Sequence, residues 1–244
     1  VLARVDACRE RLDRVPEILK HFRQSVLEAA TSGMLTEDWR NRQAGQRPDS
    51  NWATSTPPDT TIALPKSWRW VSVGTLSTKV ADGVHKKPSY VAAGIPFITV
   101  KNLTAGPGID FSDTSFVTEK DHEEFCKRTF PERGDILVSK DGTLGVVRLI
   151  ETDRPFSLFV SVALIKLRDK RMSKYIRLAL ESPVMQKQMV GVGTGLLHIH
   201  LRDLRMDVVP LPPIQEQCEI VRRVESLFAL ADTLEARYSA ARAQ

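Results

Sequence analysis

The sequence predicts an α+β protein: one mixed, β-rich domain carried between long coiled-coil-type helices at its two ends. Three observations lead there. Apolar residues recur at three- and four-residue steps near both ends, a polar stretch rich in Pro, Ser and Thr follows the first helical region, and the middle breaks into short β-branched segments punctuated by Gly, Asp, Asn and Pro. At 244 residues the chain suffices for one large domain or two modest ones, each with a real core.

Residues 1–40 read as a helical region. Leu2, Val5, Cys8, Leu12, Val15, Leu19, Phe22, Val26 and Ala29 form the apolar stripe expected of a coiled-coil seam. Pro16 lacks a backbone donor and crowds the preceding turn, which places a kink or break near Val15. Gly33 is the expected stop, and Thr36 with Asp38 the expected restart before Trp39. Residues 41–63 are a linker by composition.

Residues 64–209 read as the mixed domain. Trp70–Val73, Pro96–Val100, Asp135–Ser139, Gly145–Ile150 and Leu158–Leu167 are its expected strands, and Tyr175–Val190 an expected helix before the glycine-rich GVGTG stretch at Gly191–Gly195. Residues 210–244 return to helix after Leu211-Pro212-Pro213. Ile220, Val224, Leu227, Ala231, Leu234, Tyr238 and Ala241 follow alternating four- and three-residue steps. Two packings suit this stripe: a helix laid on its own domain, or a helix paired with another helix. With Leu12, Leu19, Phe22 and Val26 from the first region, these side chains are the candidates for helix pairing or partner docking. The ends also match each other. Aligning Val1–Leu12 with Leu227–Tyr238 superposes Ala3 on Ala229, Asp6 on Asp232 and Arg11 on Arg237, either an internal repeat or the chance likeness of two amphipathic helices.

Composition narrows the function. Hydrophobic content of 42% and charged content of 27% are those of a globular protein. An excess of 35 Lys and Arg over 30 Asp and Glu gives a net charge of +5 and an isoelectric point near 9.2, which permits a polyanionic partner without requiring one. Cys8, Cys126 and Cys218 form neither a CxxC pair nor a disulfide framework, as suits a reducing cytoplasm. The sequence holds no run of about 18 apolar residues, so no membrane span or membrane partner is expected. The start, VLARVDACRER, has no apolar signal core and no initiator Met, and reads as the interior of a longer protein.

Five motifs in series carry a family resemblance. ILKHFRQSVLEAATSGMLTEDWR (Ile18–Arg40) resembles the central helix of type I restriction–modification specificity subunits and the step that leaves it. LPKSWRWVSVGTL (Leu64–Leu76) resembles their "LPxGWxWxxLGEL" lead-in to a target-recognition domain, with Ser67 in place of Gly. GIPFITVKNL (Gly94–Leu103) is similar to "IPWIxxxDL", GDILVSKDGTLG (Gly134–Gly145) to "GDILxSxxGTxG", and VVPLPPIQEQCEIVRRVESLFALAD (Val208–Asp232) to "PLPPxxEQxxIVxxVExLxALxD". The motifs stand in family order over nearly the whole chain. The family protein has two recognition domains separated by long antiparallel helices, so this chain resembles half a subunit. The resemblance implies a non-catalytic reader of one half of a split DNA target, with modification subunits docked on the helices. S-adenosylmethionine, ATP and Mg would then serve partner modification and restriction subunits, with no cofactor in this chain. A second copy, or a covalent second half, would supply the other reading domain. Two other readings stay open: the recognition region of a single-chain methyltransferase-nuclease, and a coiled-coil adaptor with no nucleic-acid role.

DNA binding needs cations for phosphates and side chains that reach base edges. The stretch Lys79–Tyr90 gathers Lys79, His85, Lys86 and Lys87 beside Gly83, Pro88 and the aromatic Tyr90, as a groove-following loop would; a solvated surface loop has the same composition. Lys101 and Asn102 end an apolar strand and are candidates for base contact. Ser139–Thr143 suits a tight turn that would present Lys140 and Thr143 at a hairpin tip. Gly193, Thr194 and His198 are further candidates. GVGTG follows an expected helix and not a strand, so it fails as a dinucleotide loop, and His198 with His200 lack the further ligands of a zinc site. The sequence contains no N-P-P-[YFW] motif and no Walker A loop, and its Ser, His and Asp residues have no nucleophile-elbow context. A catalytic role and a metal are therefore not expected.

Overall fold

The computed structural model describes residues 12–43, 52–193 and 197–242. In chain order its elements are α1 (Val15–Ser32), a 3-10 turn (Met34–Thr36), α2 (Glu37–Arg42), β1 (Arg69–Ser72), α3 (Val73–Leu76), β2 (Ser77–Asp82), β3 (Ile95–Ile98) and α4 (Val100–Thr104). There follow β4 (Ser115–Val117), α5 (Glu119–Arg128), β5 (Ile136–Ser139), β6 (Val147–Leu149), β7 (Ser157–Leu158) and β8 (Val162–Leu167). After these come α6 (Ser173–Glu181), α7 (Pro183–Gln186), α8 (Leu201–Met206), β9 (Val208–Leu211) and α9 (Ile214–Arg242).

Alternation along two strands divides the core. β2, β8, β5 and β6 form one antiparallel sheet in that order. Successive side chains of a strand point to opposite faces. Ile136 and Val138 of β5, with Ala163, Ile165 and Leu167 of β8, therefore face a larger core with Tyr175, Ile176, Val26, Leu27, Ala30, Ile220 and Val224. Leu137, Val162 and Leu164 face a smaller core with Ile98, Leu103, Ile150, Phe156 and Leu158. A second sheet, β4-β3-β7, pairs β3 antiparallel to β4 and parallel to β7, while β1 and β9 make a separate antiparallel pair that fastens the two ends of the domain.

The two long helices run antiparallel in one chain. Arg242 pairs with Asp13 at 2.9 Å, Arg23 reaches Asp232 at 2.6 Å and Glu235 at 2.8 Å, and Arg223 meets Asp38 at 2.6 Å. Both packings left open for α9 occur together: its buried Ile220 and Val224 join the domain's larger core, and the same helix pairs with α1. Leu19, Val26, Ile220, Val224 and Ala231 are buried, and Phe22, Leu227 and Tyr238 are half-buried. Leu12 and Leu234 were expected in the seam but stand 39% and 45% exposed. Near this end of the helices the described residues include the exposed Leu12 and Leu234 and the Arg242–Asp13 ion pair.

Where the helices meet the domain, one carboxylate gathers the chain. Glu216 of α9 is fully buried and accepts hydrogen bonds from Thr36 Oγ1 at 2.8 Å, Arg40 Nη1 at 2.5 Å and Trp68 Nε1 at 2.9 Å. Arg40 also donates to the carbonyl of Gly33 at 2.8 Å, which closes the end of α1. Gly33 takes φ 87°, the left-handed conformation expected of a helix stop. Thr36, expected to cap α2 through its side chain, spends its hydroxyl on Glu216 instead.

Other expectations shift for local reasons. The break expected near Val15 is itself met: Leu12 and Asp13 are helical, Arg14 is a turn, and α1 starts at Val15 with Pro16 in its first turn, where a missing N–H costs nothing. The strand from Pro96 stops at Ile98 because Thr99 caps α4. Leu158–Leu167 is two strands divided by a turn, and Tyr175–Val190 is broken at Ser182-Pro183 into α6 and α7. Helix α5 was not anticipated: its apolar residues are too few to show a stripe, although Thr118 accepts from the Asp121 N–H as a cap should. Part of the expected linker lies along β1, with Ser55 N donating to Trp70 O at 2.7 Å and Ser55 Oγ accepting from Ser72 N at 3.0 Å. The matching segment Val1–Arg11 of the repeat lies outside the described residues.

Two stability predictions follow from buried carboxyls. Glu216→Ala leaves Arg40 and Trp68 without their acceptor and should cost about 3 kcal/mol in chemical denaturation, with no loss marking Glu216 as dispensable. Burial, with the Asp203 charge adding to it, pushes the Asp207 carboxyl up to about 7, and its Oδ2 has no hydrogen-bond partner among the described residues. An unfolded Asp titrates near 3.9. Between about pH 4 and pH 7 the folded state thus keeps a proton the unfolded chain has released, so this group lowers stability as pH rises. Asp207→Asn should raise the melting temperature by a few degrees at pH 8 and leave it unchanged at pH 4.

Candidate nucleic-acid interface

Three loops singled out in the sequence converge at one end of the domain. The first leaves β2 at Asp82 and runs through the basic stretch to Tyr90. It is fastened at both roots: Val84 N donates to Leu158 O at 2.9 Å, and Val91 N donates to Phe116 O at 3.0 Å. Gly83 passes so close to the sheet that a Cβ there would sit 2.0 Å from the Leu158 carbonyl oxygen, so only glycine lets the chain through. The second loop joins β5 to β6 over residues 140–146. Asp141 bridges to His198, and Ile199 N donates to Lys140 O at 2.8 Å, which draws the third loop, around Gly193 and His198, against the second.

A run of alternating charges joins the loops below their surface. Arg128, at the end of α5, pairs with Asp82 at 2.5 Å. Asp82 lies 3.5 Å from Lys140, and Lys140 lies 3.5 Å from Asp141. His85 Nε2 stands 3.3 Å from Asp82 and 3.2 Å from Arg128 Nη2. Asp82 and Lys140 are both buried. Burial pushes the Asp82 carboxyl up, but the Arg128 hydrogen bond, with the Lys140 and His85 charges, more than offsets it and holds the group below the ordinary Asp value. The buried acids and bases of this run largely balance one another.

Positive charge free for a ligand is left on the first loop. Lys86 and Lys87 are exposed and make no ion pair among the described residues. Lys87 Nζ lies 5.7 Å from the centre of the Tyr90 ring, which meets Phe97 edge-on at 5.9 Å. Tyr90 thereby props the lysine against the aromatic group of Phe97, Phe125 and Phe159. Exposed Thr143 stands on the second loop beside Gly142, and Gly193 is exposed on the third.

Several candidates have other employment. Asn102 is buried, with Oδ1 accepting from Thr99 N at 2.9 Å and Nδ2 donating to Asp110 O at 2.9 Å and Asp113 O at 3.1 Å. Those bonds correct its assignment as a base reader: its polar atoms shape the turn around α4. Lys101 pairs with Asp113 at 3.0 Å and stays exposed. Lys140 was expected at a hairpin tip; the loop is wider than a tight turn, and the lysine points into the ion-paired base. Lys79 is exposed on β2, an edge strand, where a lysine also discourages unwanted strand pairing. The ring of His198 packs edge-on against that of His200, with centroids 4.6 Å apart. Thr194 lies outside the described residues. Sequence reasoning missed Asp82 and Arg128. The available signal was a lone acid ending an apolar strand inside a basic stretch.

The domain thus presents loops with exposed lysines and packs against the paired helices α1 and α9. The chain belongs to the type I restriction–modification specificity family: the family model for the "Type I restriction modification DNA specificity domain" matches residues 69–241. Among curated proteins, it is 32% identical to the type I restriction enzyme EcoKI specificity subunit of Escherichia coli (strain K12), over 96% of this chain and 48% of that protein. It is 31% identical to the EcoBI specificity subunit of Escherichia coli, over 96% of this chain and 49% of that protein. The chain thus spans about half the length of the curated relatives it matches. The HsdS subunit of Thermoanaerobacter tengcongensis shares the fold at a TM-score of 0.57 and 18% identity, over 96% of this chain and 51% of that one. The type I S subunit of M. genitalium does so at 0.56 and 17%, over 98% and 55%.

Replacing Lys86 and Lys87 together with Ala should weaken binding to all duplexes alike. The slope of log affinity against log salt should fall by about two, near one per lost phosphate contact. Fluorescence anisotropy across a salt series checks this, and an unchanged slope would remove the loop from the DNA.

Proposed function

We propose that this chain reads one half of a bipartite DNA target and, through α1 and α9, scaffolds the modification subunits of a type I complex, with a restriction subunit joining the same assembly. The observation that carries this reading is the placement of Lys86 and Lys87, uncompensated and exposed, on a loop fastened at both roots. Phosphate contacts need such mobile cations, and base contacts need neighbouring backbone held in place. The chain itself is non-catalytic in this reading, and it needs no cofactor. Adenine methylation with S-adenosylmethionine, and cleavage with ATP and Mg, belong to the partners. The other half-site falls to a second reading domain, covalent or from a second copy. In this reading the work is done on DNA in the cytoplasm, and among the described residues no helix is long and apolar enough to cross a membrane.

The test is an exchange. β9 runs to Leu211, so residues 64–211 form the unit to replace with the matching segment of a related specificity protein, within the assembled methylating complex. The methylated half-site should follow the transplanted segment in a genome-wide methylation map. A map unaltered by the exchange would overturn the reading. Loss of all salt-dependent DNA affinity in the parent complex would favour a coiled-coil adaptor.

A further inference from the structure

The alternating charges beneath the three loops are dearer than stability requires. Asp82 is 4% exposed and Lys140 8% exposed, and a buried ion pair is often no more stable than apolar side chains of the same volume. What the pairs do supply is a fixed relation between segments far apart in sequence. The Asp82 carboxylate meets Arg128 from α5, His85 from the basic loop and Lys140 from the second loop. Its carbonyl accepts from Thr129 Oγ1 at 2.6 Å and Arg128 Nε at 3.4 Å. The residue is itself held, since it ends β2 opposite Ala163 of β8 and precedes the squeezed Gly83. The main chain of Lys140 is fixed as well, with its N–H on Ser161 O at 2.9 Å and its carbonyl accepting from Ile199 N.

Resting on the DNA-reading assignment above, we infer that Asp82 is a positioning residue for sequence discrimination, locking the basic loop and the 140–146 loop in one register across the duplex. It touches no DNA. Lys86 and Lys87 hold phosphates whatever the base sequence, and the Asp82 node decides whether the neighbouring loops meet the base edges together. Rigid support of this kind separates a site from its near matches, because each mismatched contact costs only a modest factor.

Asp82→Asn keeps the shape and removes the charge that orders Arg128 and Lys140. Lys140→Met removes the second loop's tie to the same node, and its buried nitrogen is not a phosphate contact. Both are measured in the complete specificity protein with its methylating subunits. One duplex carries the methylated half-site mapped for the parent, and the other is a random duplex of equal length. Affinity for the mapped duplex should fall about tenfold in each variant, the cost of about one mismatched pair. Affinity for the random duplex and its salt slope should stay unchanged. A purely structural role would lower the melting temperature and leave the ratio of the two affinities intact, or lower both affinities in parallel; either result overturns the inference. If Asp82→Asn does not fold, Lys140→Met carries the same test. A parent protein that prefers no duplex over the random one defeats the DNA-reading assignment itself, a result distinct from a variant that discriminates as well as the parent.

Discussion

The structure turns on a buried carboxylate that cannot be left alone. Glu216 brings a negative charge into the interior, where only donors on three sides make it tolerable. Thr36 and Arg40 come from the step after α1, and Trp68 from the approach to β1. Tyr175 packs in the same core, its hydroxyl donating to Pro210 O at 2.5 Å, just before α9 begins. One residue thereby links the step after the first helix, the approach to the domain and the start of the last helix. The helical arm and the start of the domain are tied to each other for this reason.

Much of that frame was legible because it is local. Heptad spacing gave α9, Gly33 gave the end of α1, and β-branched runs gave β1, β5 and β8. What escaped was set at long range. Helix α5 is charged on most of its surface and is held by its cap and by His122, whose Nδ1 lies 2.8 Å from Ser157 Oγ. Leu12 and Leu234 continue the spacing of the seam, but periodicity reports what a helix offers, not whether a neighbour is there to accept it. The division of β5 and β8 between two cores became visible only once both faces of the sheet were seen covered.

The candidate interface was legible as a set of loops and illegible as a set of roles. Composition selected the basic stretch, the turn at Ser139–Thr143 and the glycine-rich segment, and all three meet. Residue type alone misjudged Asn102 and Lys140. An Asn at the end of a strand and a Lys beside Asp-Gly are equally suited to ligand contact and to bonding nearby main chain or side chains. Burial decides between these uses, and burial is a property of the whole fold. Asp82 was passed over for the converse reason: an acid in a basic loop looks like dilution of the charge until its partners at Arg128 and Lys140 are in view.

The fastening of the basic loop at Val84 and Val91 has a consequence for how such a protein changes over generations. Between those two pins the chain is suspended like a bridge deck between fixed piers. Exposed side chains such as Lys86 and Lys87 can be exchanged, and what the surface offers altered, while His85 and Tyr90 keep their ties to Asp82 and Phe97. The piers hold through main-chain bonds, and beside the first of them Gly83 admits no side chain, since even a methyl group would strike main chain. Variety in what is read and constancy in how it is held can therefore reside a few residues apart.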